Sequence, residues 1–389
     1  MDPKWRALLV LTAARTSLGF QFQSVASVSP MLVQELGLDG ADLGGLIGLY
    51  FLPGLVLALP GGALGRRFGD RRVVVAGLLL MALGGLVASL ATGFAGLAAG
   101  RVLAGFGAVL LNVLMAKMVT DWFAGQREIV LAMAIFVNSF PIGIGLAQLS
   151  LGALAAAAGW ASAFAATGAL ALVALLVLGL GYRRHPNDGA PAGGAMGGAR
   201  ISGREVALVC LAGALWGGLN GSFAVTIGFA PTFLAQGGLS PARIGLAVGV
   251  ATWLSVASVQ AGGMLAQRGA SPAVLLVGGC LVWAACLLAL GVGSGAAALL
   301  VAGLATGLPV GVIMALPAQA LRPENRAVGM GLFYTWLYVG HAGLPPAAGW
   351  AGDASGMPAA PLLAAAGFVA GLPVIYALFR LLTGRRMEG

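Results

Sequence analysis

The chain has 389 residues, of which 59% are hydrophobic and 8% charged, and its formal net charge is +9. Soluble domains carry about a quarter charged residues, so this composition excludes an ordinary soluble enzyme or binding module and describes an integral membrane protein. Nucleic acid is excluded as a partner, because the basic residues sit in short segments between apolar runs rather than on one wet face; that balance suits anionic lipid headgroups instead.

A membrane helix needs about 20 apolar residues. By that length, and by the charged or Gly/Pro punctuation between runs, the first half contains six spans, at roughly 7–33, 43–64, 73–92, 96–118, 129–155 and 161–182. Arg15 interrupts the apolar core that a cleavable leader would need, so the first span is expected to remain. A polar, Gly/Pro-rich linker at 183–204 follows, and then six further spans at roughly 205–234, 243–266, 272–291, 296–320, 327–350 and 358–382. The expected domains are an N-terminal six-helix bundle at 1–182, the linker at 183–204 and a C-terminal six-helix bundle at 205–389. The 64 glycines allow the close backbone approach on which membrane bundles rely. Cys210, Cys280 and Cys286 lie inside apolar runs and read as packing residues.

Sidedness comes from the charges. Arg66, Arg67, Arg71 and Arg72 form a basic loop that cannot sit in hydrocarbon, and the positive-inside rule places it in the cytoplasm. Arg127, Arg183, Arg184, Arg200, Arg204, Arg268, Arg322, Arg326, Arg385 and Arg386 then fall on the same side. Glu35, Asp39, Asp42 and Asp353 fall on the other, with Arg243 as a basic exception. Both termini are expected inside a cell (inner) membrane.

The loop carries Gly62, Arg67, Gly69, Arg71 and Arg72 in the pattern of the signature loop after the second helix of the major facilitator superfamily, which the chain resembles. Arg66 stands where that family carries an acid, so the usual charge relay pinning the loop is in question. Arg101 with Gly105 and Gly107 resembles the family's fourth-helix motif, and Trp122-Phe123 with Arg127-Glu128 the loop after it. Gly263 to Gly269 looks like a worn second copy of the signature. The run Asn138-Ser139-Phe140-Pro141-Ile142-Gly143 partly matches a Gly-Pro motif of proton antiporters, and together with Arg15 it is similar to the cyanate and nitrate-like anion branch. The resemblance implies an all-α fold of twelve helices in two pseudo-symmetric bundles. It also implies a midplane site between them, lined by the first, fourth, seventh and tenth helices, and alternating access.

Within the spans, basic residues are present and acidic ones absent: all 12 carboxylates map to loops, tails or helix ends. A buried site for a cation is therefore unexpected. Arg15 costs roughly 2.5–3.5 kcal/mol at a helix centre and needs compensation. Either it bonds backbone carbonyls of a neighbouring helix or snorkels, or it faces the cavity and binds a planar anion through paired donors. Lys117 lies at a similar depth and either joins that site or pairs with Asp121 at i+4. Arg101 is a gate or cavity charge, or a structural one. His341 is the candidate proton carrier, against a neutral histidine bonded to a neighbouring helix. Tyr334, Tyr338 and His341 recur on one helical face, whereas Trp336 falls off it toward lipid or packing. Gln23, Tyr50, Asn112 and Asn220 are candidate lining residues among the buried amides and hydroxyls, a set that also includes Gln21 and Asn138. Pro141, with Pro53, Pro231, Pro309 and Pro317, supplies helix bends.

No metal spacing, phosphate loop or oriented catalytic base occurs, so neither enzyme nor cofactor is expected. The expected function is secondary transport of a small anion (carboxylate, cyanate or nitrate-like), coupled to protons or to anion exchange, by a monomer in the lipid bilayer. The competing expectation is efflux of apolar or weakly polar drugs past Phe20, Phe22, Trp216 and Tyr338, with Arg15 structural.

Overall fold

The computed structural model describes residues 2–58, 60–126, 128–183, 185, 201–293, 296–322 and 325–384, the side chains of 130, 326 and 327 excepted. Most of the linker therefore lies outside the described residues, as do Arg127, Arg184, Arg200, Arg385, Arg386 and the side chain of Arg326.

Among the described residues every regular element is helical. The first span is a pair, α1 (Pro3–Phe22) and α2 (Ser24–Leu36), interrupted only at Gln23. Asp2 caps α1 by accepting from the Lys4 amide at 3.0 Å, and Pro3 occupies the first turn, where its missing N–H costs nothing. Pro30 removes the donor that would serve the Ala26 carbonyl, and the Ser29 hydroxyl supplies one at 2.9 Å. Next come α3 (Gly40–Leu49), α4 (Gly54–Leu57) and α5 (Gly61–Phe68), with Pro53 in the turn between the first two.

The signature stretch is not a loop. It is the end of α5 and the start of α6 (Asp70–Ser89), separated by Gly69 alone at φ 90° and ψ 134°. Gly69 takes a left-handed φ that a side chain disfavours, so α5 ends and the chain turns there. Arg66 and Arg67 sit in the last turn of α5, where they complement the helix dipole.

The half continues through α7 (Phe94–Trp122), α8 (Ile129–Ala158) and α9 (Trp160–Gly181). The second half opens with α10 (Gly203–Gln236), whose start is a capping box of Ser202 and Glu205. Then come α11 (Pro241–Gln267), a π-helical stretch (Val274–Gly278) running into α12 (Gly279–Gly291), and α13 (Ala296–Thr306). The last are α14 (Val310–Ala320), α15 (Arg326–Ser355) and α16 (Ala360–Gly384). Grouped across their breaks, these make the twelve expected spans, of which, among the described residues, 10 are long and apolar enough by composition to cross a membrane. The other two are α1–α2, cut at Gln23 and carrying Arg15, and the Gly/Pro-rich α15.

The chain forms two compact units. One comprises Met1–Leu38, Leu49–Gly193 and Ser240–Gly249; the other comprises Asp39–Gly48, Gly194–Leu239 and Val250–Gly389. In the first, α1 packs on α8 and α9, and α6 on α7 and α9. In the second, α10 packs on α15 and α16, and α12 on α13 and α16. The same packing order in both is what a duplicated six-helix half produces.

Candidate functional site

Arg15 is 8% exposed on α1, at its contact with α8 in the first unit. The helices come close because glycines face backbone: a Cβ on Gly143 would collide with the Thr16 carbonyl, and one on Gly19 with that of Phe140. Pro141 has no N–H, so the carbonyl four residues earlier, Val137, loses its helical donor. Arg15 fills that vacancy, its Nη1 donating to Val137 O at 3.3 Å, to Phe136 O at 3.3 Å and to Ser139 Oγ at 3.0 Å. Its Nη2 donates to Asn112 Oδ1 at 2.8 Å, and the guanidinium carbon lies 4.7 Å from the Phe136 ring centroid and 6.0 Å from that of Phe140. The partners named here are neutral oxygens and ring faces. Three of the acceptors share one nitrogen, Nη1.

Arg101 braces the helix break two turns further along α1. Its Nη1 donates to Gln21 O at 2.8 Å and Ser24 Oγ at 3.4 Å, and its Nη2 to Phe22 O at 3.1 Å. Its other side lies over the Tyr50 ring at 4.4 Å, and the Tyr50 hydroxyl donates to Leu18 O at 3.2 Å. Phe22, Tyr50, Phe51 and Phe140 form one aromatic cluster with neighbouring centroids 5.2–6.1 Å apart. Gln23 is 1% exposed at the break itself. Of the predicted residues, Arg15 and Asn112 are therefore directly bonded, and Arg101 and Tyr50 stacked. Sequence reasoning missed Phe136, Ser139 and Phe140 as partners; the signal was Pro141, which announces an unserved carbonyl at 137.

Lys117 has other partners. Its Nζ donates to Asp70 Oδ2 at 2.6 Å and to Asp121 Oδ2 at 2.8 Å, tying the start of α6 to the end of α7. Asp70, four residues beyond Arg66, is 1% exposed. Gly65 is required there, since a Cβ would collide with the Asp70 carboxylate and stand 2.6 Å from Leu114 Cδ2. Gly62 faces open space. Arg67 lies 5.3 Å from the Phe68 ring, Arg71 donates to Gly179 O at 3.1 Å, and Arg72 is exposed.

In the second unit the Asn220 amide donates to Trp216 O at 2.9 Å, and His341 Nδ1 bonds Leu337 O at 3.0 Å, both within their own helices. Tyr338 and His341 are buried, but Tyr334, expected on the same face, is 40% exposed. Three- and four-residue spacing aligns side chains without deciding how far round a packed helix burial reaches. Trp336 packs against α10 at Gly213 and Gly217. No group of His, Cys, Asp and Glu that could hold a metal occurs among the described residues.

The family model described as Major Facilitator Superfamily matches residues 11–227. The chain is 30% identical over 167 residues to the 3-(3-hydroxy-phenyl)propionate transporter of Escherichia coli, covering 41% of this chain and 39% of that protein. It is 26% identical over 188 residues to the methyl viologen resistance protein of Salmonella typhimurium, covering 48% of this chain and 37% of that one. The matched stretch thus spans well under half the length of either relative. A solved bacterial homologue of the human lysosomal transporter Spinster, inward-facing and occupied, superposes with a TM-score of 0.77 at 17% identity, covering 99% of this chain and 97% of that one.

Proposed function

Because the chain belongs to the major facilitator superfamily and is a multi-pass membrane transporter rather than an enzyme, we propose that it carries a small organic anion by alternating access. The observation that carries this reading is Arg15: a buried guanidinium held in place by neutral oxygens and flanked by Phe136 and Phe140. A carboxylate would replace the shared Nη1 bonds with two charge-assisted ones and cancel the buried charge. The loaded carrier then closes at lower cost than the empty one. Asn112 and Ser139 would aim the guanidinium, and Gln23, Tyr50, Asn220 and Tyr338 remain proposed lining residues. Lys117, already neutralised by two carboxylates, is left the task of holding α6 on α7. Coupling runs through protons at His341 or through anion exchange. The carrier sits in the inner membrane with both termini in the cytoplasm. One relative named above is a transporter of an aryl-substituted carboxylate, which agrees with an aromatic wall beside the arginine.

The test is thermal stabilisation of the purified protein by a panel of anions, organic cations and neutral drugs, because a ligand of the folded state raises its apparent stability by mass action. Carboxylates stabilise the wild type and not Arg15→Ala, while Arg15→Lys, without paired donors, recovers little. Wild-type anion affinity in Arg15→Ala sinks the proposal. The second reading, drug efflux with a structural Arg15, draws on the protein partners of the two terminal nitrogens and on the methyl viologen relative. It predicts that drugs stabilise both proteins and anions neither.

A further inference from the structure

Residues 39–48 lie between two stretches of the first unit in sequence, yet they belong to the second unit. There α3 runs along α15 on a seam made of backbone. A Cβ on Gly40 would stand 2.8 Å from Gly349 O, one on Gly48 would stand 2.6 Å from Ala342 O, and one on Gly44 would collide with the Pro345 carbonyl. Such seams depend on the backbones staying in close contact, and Leu43, Leu46 and Ile47 of α3 are buried beside this one. One end is fastened differently. Asp353, in the last turn of α15, accepts from the Gly40 amide at 2.8 Å through Oδ1 and from the Ala41 amide at 2.7 Å through Oδ2.

These amides belong to the first turn of α3, which has no preceding carbonyls to serve them. The local acids do not serve them either. Asp39 accepts from the Asp42 amide at 2.8 Å and Asp42 from the Asp39 amide at 3.4 Å, a reciprocal pair that leaves the two amides between them to Asp353. The carboxylate also faces the positive end of the α3 dipole. The clasp therefore joins a segment of the first sequence half to the eleventh span through two bonds that a small displacement of α3 breaks together.

We propose that Asp353 is a positioning residue for the transport cycle: its clasp on Gly40 and Ala41 holds the start of α3 against α15. The proposal rests on alternating access and not on the identity of the substrate. Release of the clasp lets α3 lift from the glycine seam and exposes the α15 positions beneath it.

Ala342→Cys, beneath Gly48, reports this when placed in a chain whose Cys210 and Cys286 are replaced by serine. Labelling with a water-soluble maleimide is timed in nanodiscs without substrate. Buried Cys280 serves as the internal control for loosening of the second unit. Asp353→Asn raises the labelling rate at position 342 by about tenfold, the equivalent of one charge-assisted bond, with Cys280 unchanged. Asp353→Glu keeps the wild-type rate. Ala41→Pro removes one donor at a first-turn position where proline is tolerated and reproduces the increase. Combined with Asp353→Asn it adds nothing, as two halves of one interaction require. An unchanged rate in both single variants, additive increases in the double, or a matching rise at Cys280 each overturn the proposal. Since no substrate is present, a failed anion reading leaves these outcomes unaffected.

Discussion

Lys117→Met is a demanding perturbation of the first unit. The Lys117 ammonium is 2.6 Å from Asp70 Oδ2 and 2.8 Å from Asp121 Oδ2, with side chains exposed by 10%, 1% and 17% respectively. Truncating the cation leaves two carboxylates facing one another, one of them fully buried, and removing one partner of a buried pair typically costs about 3–5 kcal/mol. The partners are not equal. Asp121 pairs at i+4 near the helix end, an arrangement worth about 0.3–0.5 kcal/mol when exposed. Asp70 bridges two helices from a site water does not reach, so it carries most of the cost. Asp70→Asn should therefore be intermediate, because Lys117 keeps Asp121, and Asp121→Asn should lie within about 1 kcal/mol of wild type. Thermal unfolding followed by tryptophan fluorescence should rank the melting temperatures as wild type, Asp121→Asn, Asp70→Asn and Lys117→Met, from highest to lowest. In the double variant Asp70→Asn with Lys117→Met, much of the loss should be recovered, since no buried charge is then stranded. A Lys117→Met protein as stable as wild type, or an Asp121→Asn as damaging as Asp70→Asn, would refute the assignment of Asp70 as the main partner of Lys117.

Glu205→Ala should cost about 1–3 kcal/mol in thermal unfolding, because its carboxylate serves Ser202, the Arg322 amide at 3.0 Å and the Asn325 side chain at 3.0 and 3.1 Å. Arg204→Ala, one residue away and exposed, should change little by the same measurement. Gly143→Ala should push α8 from α1 and cost about 1–3 kcal/mol as an overpacked contact, whereas Gly62→Ala, with open space around it, should gain up to about 1 kcal/mol from helix propensity. Equal melting temperatures for these two glycine variants would contradict the packing described around them.

The apolar runs determined the number of spans and their limits to within a few residues, because the hydrocarbon thickness dictates how long such a run must be. The basic signature Gly62 to Arg72 and the arginine motif at Arg101 were legible for the same reason, since charges among apolar residues are costly enough to stand out. Local chemistry was also legible in part: the Lys117–Asp121 spacing predicted a pair that forms. What the one-dimensional pattern could not supply was the partner across space. Arg15 and Val137 are 122 residues apart, and only the α1–α8 crossing shows that the carbonyl stripped of its donor by Pro141 lies under the guanidinium. Asp70 and Lys117 are 47 residues apart, and only the packing of α6 on α7 shows that they pair. The departure of residues 39–48 from their own half, and the clasp of Asp353 on Gly40 across 313 residues, were likewise decided by tertiary packing. Glycines record that backbones approach closely, and only the fold says which ones.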